Sequence, residues 1–287
     1  MKDIKLTKNS MNWILGKLNV FLKNRHYKLQ ENNKYLIPFI PFSTFEEIQS
    51  QFSKDDELYT EFCKLNNRRI VANSKLARAF NENMEVLEVL NILTMYSDNS
   101  FLVGGCVRDI LLGKEPKDFD FCTDIEYTKL VKIFNDFGYK TIQTGKNFLV
   151  LNVSIRGLTF EIANFRKDLG SSDGRHPDKV EIGSIEEDQK RRDFRINSLM
   201  FNFDEGLVDY VNGLDDINSR TLKFNGNPVE RLKEDYLRGL RFYRLLKSKG
   251  LEADPKSLKA VRSNFEDIIL KTNPERIRDE IEKLVFS

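Results

Sequence analysis

The stretch FLVGGCVRDILLGKEPKDFDFCTD, Phe101 to Asp124, leaves this chain few ways to fold. FLVGG reads as a short apolar strand ending in glycines, and CVRDILL starts a helix at once. KDFDFCT then alternates with period two, the mark of a strand with one buried face. Phe119 and Phe121 share the core face, so Asp118 and Asp120 share the other. A strand, a glycine turn, a helix and a second strand bearing two acids follow one another without a break.

Two carboxylates held side by side repel, and each raises the other's pKa unless a cation lies between them. Hard oxygen ligands at that spacing suit Mg2+, which takes a few carboxylates plus substrate phosphates. Taken alone, the pattern favours a pair of solvated aspartates on an exposed face. LTFEIANF, after a turn at Arg156–Gly157, alternates in the same way. Leu158, Phe160 and Ile162 face inward there, and Glu161 faces outward. If the two strands are neighbours, Glu161 joins the aspartates around a metal pair of the kind used in phosphoryl transfer. An edge-strand glutamate is the plainer alternative. At Gly104–Gly105 the backbone can approach a ligand closely, and the following helix offers unpaired N–H groups. Arg108, in the first helical turn, can reach the same anion. A purely structural strand–helix turn would carry the same glycines.

Before Phe101 the chain reads as helical. Ser43 can cap a helix with Glu46 completing a capping box, and further helices are expected around Asn73–Asn81 and Met84–Tyr96. In the last of these Leu87, Val89, Leu90, Ile92 and Leu93 face inward. From Asn227 onward NPVERLKEDYLRGLRFYRLLKSKG and NPERIRDEIEKLV each open on an Asn-Pro start signal. The expected fold class is α+β: a helical extension over 1–82, a mixed unit over 83–222 and an all-helical end over 223–287.

Composition bounds the function classes. The chain has 40% hydrophobic and 31% charged residues, enough for an ample core, and no run of eighteen apolar residues that would span a membrane. Three cysteines, set apart from the two histidines, argue against a disulfide framework and a zinc site and suit a reducing cytoplasm. Residues 1–80 carry fourteen Lys/Arg against eight Asp/Glu, and the remainder thirty-two against thirty-six. A basic amino-terminal segment is compatible with nucleic-acid contact and equally with a solvated helical surface. MNWILGKLNVFLKNRHYKL can form a basic amphipathic helix, but a single arginine and a single serine in the first thirty residues speak against an organellar transit peptide.

LVGGCVRDILLG…KDFDFCTD resembles the opening motif of the class II tRNA nucleotidyltransferases. These are the CCA-adding enzymes and bacterial poly(A) polymerases, within the DNA polymerase β-like nucleotidyltransferase superfamily. The resemblance continues in order through about Val285. FEIANFRKD is similar to the strand of the third carboxylate, and DGRHPDKVEIGSIEEDQKRRDFRINSLMFN to the flexible loop and ribose-recognition motif. LVDYVNGLDDINSRTLKF resembles the next motif, GNPVERLKEDYLRGLRFYR the nucleobase-reading helix, and NPERIRDEIEKLV the last neck motif.

The resemblance implies a nucleotidyltransferase head, with a small mixed or antiparallel sheet flanked by helices, followed by a helical neck. It implies Asp118, Asp120 and Glu161 as catalytic residues, with Asp118 and Asp120 as ligands of two Mg2+ ions. Gly104, Gly105, Arg108, Arg192, Asp193, Asn197, Asp235, Arg238, Arg241 and Arg244 become the nucleotide site. Within it, Asp235 would accept from the exocyclic amine of cytosine or adenine, and Arg238 would donate to the adjacent ring nitrogen. Spaced i, i+3, they would share one helical face. Guanine and uracil present the reversed pattern and are rejected. Arg192, Arg241 and Arg244 fall to the triphosphate and base pocket, Asp193 to the ribose 2′-hydroxyl, and Asn197 to support of that turn.

The implied reaction joins CMP and AMP, from CTP and ATP, to the 3′ end of a tRNA without a template. Poly(A) addition, CC-only or A-only addition, and a nucleotide-regulated RNA-binding protein without catalysis are the alternatives. Neither His26 nor His176 is needed, and Cys106 and Cys122 read as packing residues. Two positions depart from the family: Tyr236 where proline is usual, and Arg195 where threonine is usual. Family members continue past the neck into body and tail domains that grip tRNA; here the sequence stops at Ser287. The expectation is that those domains are absent, and that residues 1–82 take over part of the RNA binding.

Overall fold

The structure, a computed structural model, describes residues 57–145, 149–169 and 179–286. Two compact units make up the chain, Met1–Ser74 and Lys75–Ser287. In the first, the described residues are helical and belong to α1 (Glu57–Asn81). The helix expected at Ser43, the amphipathic amino-terminal stretch, His26 and the loop with His176 lie outside the described residues.

The second unit opens on the last turns of α1, where Leu76 and Phe80 are fully buried, and continues into α2 (Met84–Thr94). Asn83 caps α2 by accepting from the Val86 amide. Its inward stripe is Val86, Val89, Leu90, Ile92 and Leu93, so Val86 takes the place expected for Leu87. That stripe follows the i, i+3, i+4, i+7 spacing of an amphipathic helix.

Next come β1 (Ser100–Val103), α3 (Gly105–Leu112), β2 (Asp120–Thr123) and α4 (Tyr127–Asp136). Four strands follow, β3 (Lys140–Gly145), β4 (Val150–Ile155), β5 (Leu158–Asn164) and β6 (Arg166–Leu169), then β7 (Lys179–Ile182). After α5 (Ile185–Arg191) and a 3₁₀ turn at Arg195–Asn197 come β8 (Met200–Asn202), β9 (Gly206–Val208), α6 (Gly213–Asn218) and β10 (Thr221–Leu222). The chain then turns helical in α7 (Pro228–Glu234) and α8 (Leu237–Lys249), passes through β11 (Glu252–Ala253), and ends in α9 (Pro255–Ser263), α10 (Phe265–Lys271) and α11 (Pro274–Val285).

Seven strands form a mixed sheet in the order β3-β4-β5-β2-β1-β8-β9. Within it β2 and β5 pair in parallel, and the other neighbours are antiparallel. Arg156 and Gly157, with φ of 50° and 87°, turn β4 into β5. Positive φ at both central residues is what a tight hairpin twist requires.

The alternation in KDFDFCT marks a strand only from Asp120; Asp118 and Phe119 precede it. From there β2 is buried on both faces. Phe121 packs edge-on against Phe160 at 6.0 Å, and Cys122 joins Phe101, Val103, Phe165, Met200 and Val208 on the opposite side. Ile185 of α5 covers that second cluster. A central strand sandwiched in this way shows alternation only at its exposed end.

The helix expected through Asp235 is broken. α7 stops at Glu234, Asp235 is extended with φ −156° and ψ 104°, and α8 begins at Leu237. The Asp235 carboxylate accepts from the Leu237 amide at 3.1 Å, a local turn that competes with a continuous helix. Gly239 lets α10 pack against α8, since a β-carbon there would lie 2.3 Å from Ile268 Cδ1. Phe242 of α8 stacks on Phe224 at 5.6 Å, and Phe224 meets Phe194 at 4.8 Å, so α8 is seated on the segment that precedes the 3₁₀ turn.

Candidate active site

Parallel pairing places Asp120 opposite Glu161 and Phe121 opposite Ile162. Registered residues on neighbouring strands project to the same face, with the strands roughly 4.8 Å apart. Asp118 is exposed just ahead of them, while Asp120 is half-buried. Burial, then the negative charge of Glu161, pushes the Asp120 carboxyl up to about 6. Arg192 pulls the other way, and Asp118 adds to the rise. The other two expected acids therefore both act on Asp120 through space.

Val103 is the register partner of Asp120 across β1 and β2, so the Gly104–Gly105 turn leaves the sheet beside that carboxylate. Gly104 has φ of 76°, and a β-carbon on it would sit 3.5 Å from both Arg192 Nη1 and the Asn197 carbonyl oxygen. A non-glycine residue would be strained there by its backbone, with its β-carbon in ordinary contact with the guanidinium. One on Gly105 would lie 3.8 Å from Arg108 Nη2. Thus one terminal nitrogen of each of two arginines flanks the glycine pair.

The rest of each guanidinium is tied down. Arg192 donates from Nε and Nη2 to Asp188 Oδ2 at 3.1 and 2.9 Å, and Arg191 donates to Oδ1 of the same residue at 2.8 and 2.6 Å. Burial would raise the Asp188 pKa, but the two arginines outweigh it and hold the carboxyl below its usual value. Arg108 donates from Nε to Asp109 at 2.8 Å and from Nη1 to Asn197 Oδ1 at 2.6 Å. Asn197 in turn donates to Asp193 Oδ1 at 3.0 Å, and Arg241 approaches Asp193 Oδ2 to 3.0 Å. Burial works against the Asp193 charge, yet Arg241 and Asn197 together hold its pKa below normal. Asp193 and Asn197 are buried parts of one network that reaches from α3 to α8. Lys249, at the far end of α8, closes it by donating to Asp109 at 2.9 Å.

In the helical end, Asp235 and Arg238 flank the break between α7 and α8 rather than lying on one helical face. Arg238 donates to Glu234 at 2.7 Å and to the Arg231 carbonyl at 3.0 Å. Asp235 takes both terminal nitrogens of Arg276 at 3.2 and 3.1 Å. Arg244 donates to Glu280 at 2.6 Å. Arg238, Arg241 and Arg244 follow one another at three-residue spacing along α8, as the sequence implied.

Asp188, Asp109, Lys249, Arg276 and Glu280 belong to these networks although the sequence motifs did not single them out. Asp188 left a local trace, because it lies three and four residues before Arg191 and Arg192 on a helix. Asp109 sits next to Arg108 in the sequence, whereas Lys249, Arg276 and Glu280 pair across long separations and left none.

Among the described residues no group of three or more His, Cys, Asp or Glu side chains is gathered closely enough to hold a metal. The donors nevertheless fit Mg2+: they are hard carboxylate oxygens, with Asp120 raised by burial and then by the neighbouring acids, and this ion completes its shell with phosphates and water. Cys106 is no competing ligand, since burial and then Asp120 push its thiol up to about 12.

Residues 100–223 match the family described as "Poly A polymerase head domain". The CCA-adding enzyme of Lactobacillus delbrueckii subsp. bulgaricus is 34% identical over 217 residues, which is 75% of this chain and 53% of the relative. The crystal structure of the Bacillus stearothermophilus CCA-adding enzyme in complex with CTP superposes with a TM-score of 0.62 at 29% identity, covering 70% of this chain and 47% of that one. A tRNA nucleotidyltransferase complexed with a primer tRNA and an incoming ATP analog gives 0.57 at 28% identity, over 68% of this chain and 55% of that one. The chain spans about half the length of the curated relatives it matches. Residues 100–223 thus carry the poly A polymerase head, and the chain belongs to the nucleotidyltransferase family built on it.

Proposed function

We propose that this chain adds CMP and AMP, from CTP and ATP, to the 3′ end of tRNA without a template. The observation that carries the reading is the registered pair Asp120 and Glu161 beside the Gly104–Gly105 turn, with Arg192 Nη1 at its rim. The relatives named as CCA-adding enzymes support it.

In this reading residues 83–222 are the head and residues 223–287 the neck. The glycine turn and the flanking nitrogens of Arg108 and Arg192 bind the triphosphate, because polyphosphate needs several fixed donors. Arg241 and Arg244 extend that positive surface along α8. Asp193 and Asn197 hold the ribose side of the pocket in shape. Asp235 and Arg238 read the base edge by accepting from an exocyclic amine and donating to a ring nitrogen. Asp118 and Asp120 would hold Mg2+, which when bound supplies a lowered pKa for the attacking 3′-hydroxyl and neutralises the departing pyrophosphate. Glu161 adds the third negative charge beside them and orients the hydroxyl. The free thiols of Cys106 and Cys122 suit a reducing cytoplasm as the place of action.

The test is incubation of the protein with tRNA transcripts ending before CCA, each nucleotide being supplied singly and in combination, followed by sequencing of the 3′ ends. Ordered addition of C, C and A is the expected result. A run of adenosines would make the enzyme a poly(A) polymerase. Nucleotide retained without extension would leave only a binding protein.

A further inference from the structure

The contact between Asp235 and Arg276 bears on how a base is chosen. Asp235 stands in the extended link between α7 and α8. Its Oδ1 accepts from the Leu237 amide at 3.1 Å and from Arg276 Nη1 at 3.2 Å. Its Oδ2 accepts from Arg276 Nη2 at 3.1 Å. A carboxylate offers about four acceptor positions, two on each oxygen. Three are filled by donors of fixed geometry, and one stays open on Oδ2.

Arg276 is itself well anchored. It lies in the first turn of α11, which starts at a capping Asn273 that accepts from the Glu275 amide at 2.8 Å. Four residues on, Glu280 accepts from Arg244 of α8 at 2.6 Å. Arg276 and Glu280 share one face of α11, so two ion pairs of opposite polarity clamp this helix along α8. The planar fork of Arg276 is thereby aimed at Asp235 from a rigid element. The side chains of the pair are 26% and 16% exposed, closed enough to be held and open enough for a ligand to reach the carboxylate.

We propose that Arg276 is a positioning residue for base selection: it locks the Asp235 carboxylate in one orientation and leaves a single acceptor, on Oδ2, for one exocyclic amine N–H. This rests on the reading of Asp235 as the base acceptor. Cytosine and adenine supply such a donor at the edge in question; uracil and guanine present a carbonyl there and meet an unpaired carboxylate oxygen. A carboxylate free to rotate would accommodate water beside the wrong base and discriminate less. Lysine cannot replace the fork, because a single ammonium does not fix both oxygens.

The experiment is titration of the full chain with CTP, ATP, UTP and GTP, together with thermal unfolding, for the wild type and for Asp235→Asn, Arg276→Gln and Arg276→Lys. The wild type is expected to prefer CTP and ATP, and Asp235→Asn to erase that preference. Both Arg276 variants are expected to shrink it about tenfold, with Arg276→Lys unfolding near the wild-type temperature. Unchanged preference in both Arg276 variants, when Asp235→Asn has lost it, would overturn the positioning role and leave the reading of Asp235 intact. Tighter binding of CTP by Arg276→Gln would make Arg276 a blocking group and overturn the proposal as well. Unchanged preference in Asp235→Asn would remove the reading of Asp235 itself, and the proposal with it.

Discussion

Asp188 is completely buried and takes two hydrogen bonds from Arg192, at 3.1 and 2.9 Å, so that the remaining terminal nitrogen of Arg192 is turned toward Gly104. A carboxylate with no solvent contact thus aims an arginine of the proposed nucleotide site. Neutralising it in Asp188→Asn leaves Arg191 and Arg192 largely buried without the Asp188 charge. The expected cost is about 3–5 kcal/mol, the usual penalty for breaking a buried pair from one side. Urea unfolding at neutral pH measures that loss, and a nucleotide titration should show weaker binding alongside it.

Asp120→Asn should separate activity from stability. Burial and the charges of Glu161 and Asp118 all work against an ionised Asp120 in the folded state. Removing the charge should therefore leave the unfolding temperature unchanged or higher. Incorporation should fall by several kcal/mol of transition-state stabilisation, about a thousandfold in rate. Single-turnover extension assays beside a thermal melt give both answers.

Asp193 governs an acid limb of stability. Its folded pKa lies below the ordinary carboxylate value, so its ionised form contributes stability above the unfolded pKa of 3.8. That contribution is lost as pH falls through the depressed folded pKa. Asp193→Asn should be less stable than the wild type by about 1–3 kcal/mol at pH 6. The gap should narrow progressively once the pH drops below about 4. Denaturant unfolding across that range checks the sign; a gap that widens on acidification would contradict it.

The basic amino-terminal segment can be tested by removing residues 1–56. Cutting at residue 81 would also remove Phe80, which lies 6.3 Å from Phe119 and 5.5 Å from Phe201 in the core. Loss of such a side chain costs about 3–5 kcal/mol by itself and would confuse the result. The shorter deletion should weaken tRNA binding and flatten its dependence on salt, by about one unit of slope for each phosphate no longer neutralised. An unchanged slope would mean that this segment touches no RNA.

Several elements were legible because their signals are local. The Arg156–Gly157 turn adopts positive φ at both residues, and the Asn-Pro starts at Asn227 and Asn273 cap helices in place. The break at Asp235 was not legible. EDYLRGLRFYR has helical periodicity throughout, and the interruption goes with Arg276 and the Leu237 amide donating together to one carboxylate. The two-sided burial of β2 was hidden for a similar reason: Cys122 is small, and only the strands and helix around it reveal that its face is covered.

The chemistry of the acids and the glycine turn can be read from residue type and spacing, because side-chain period and backbone freedom are properties of a few consecutive residues. Which strand lies beside which cannot. The parallel register that sets Glu161 against Asp120, and the clamp of Arg276 on a residue 41 positions away, arise when distant segments close on a shared core. Loop closure and packing select those partners, and neither leaves a periodic mark along the chain.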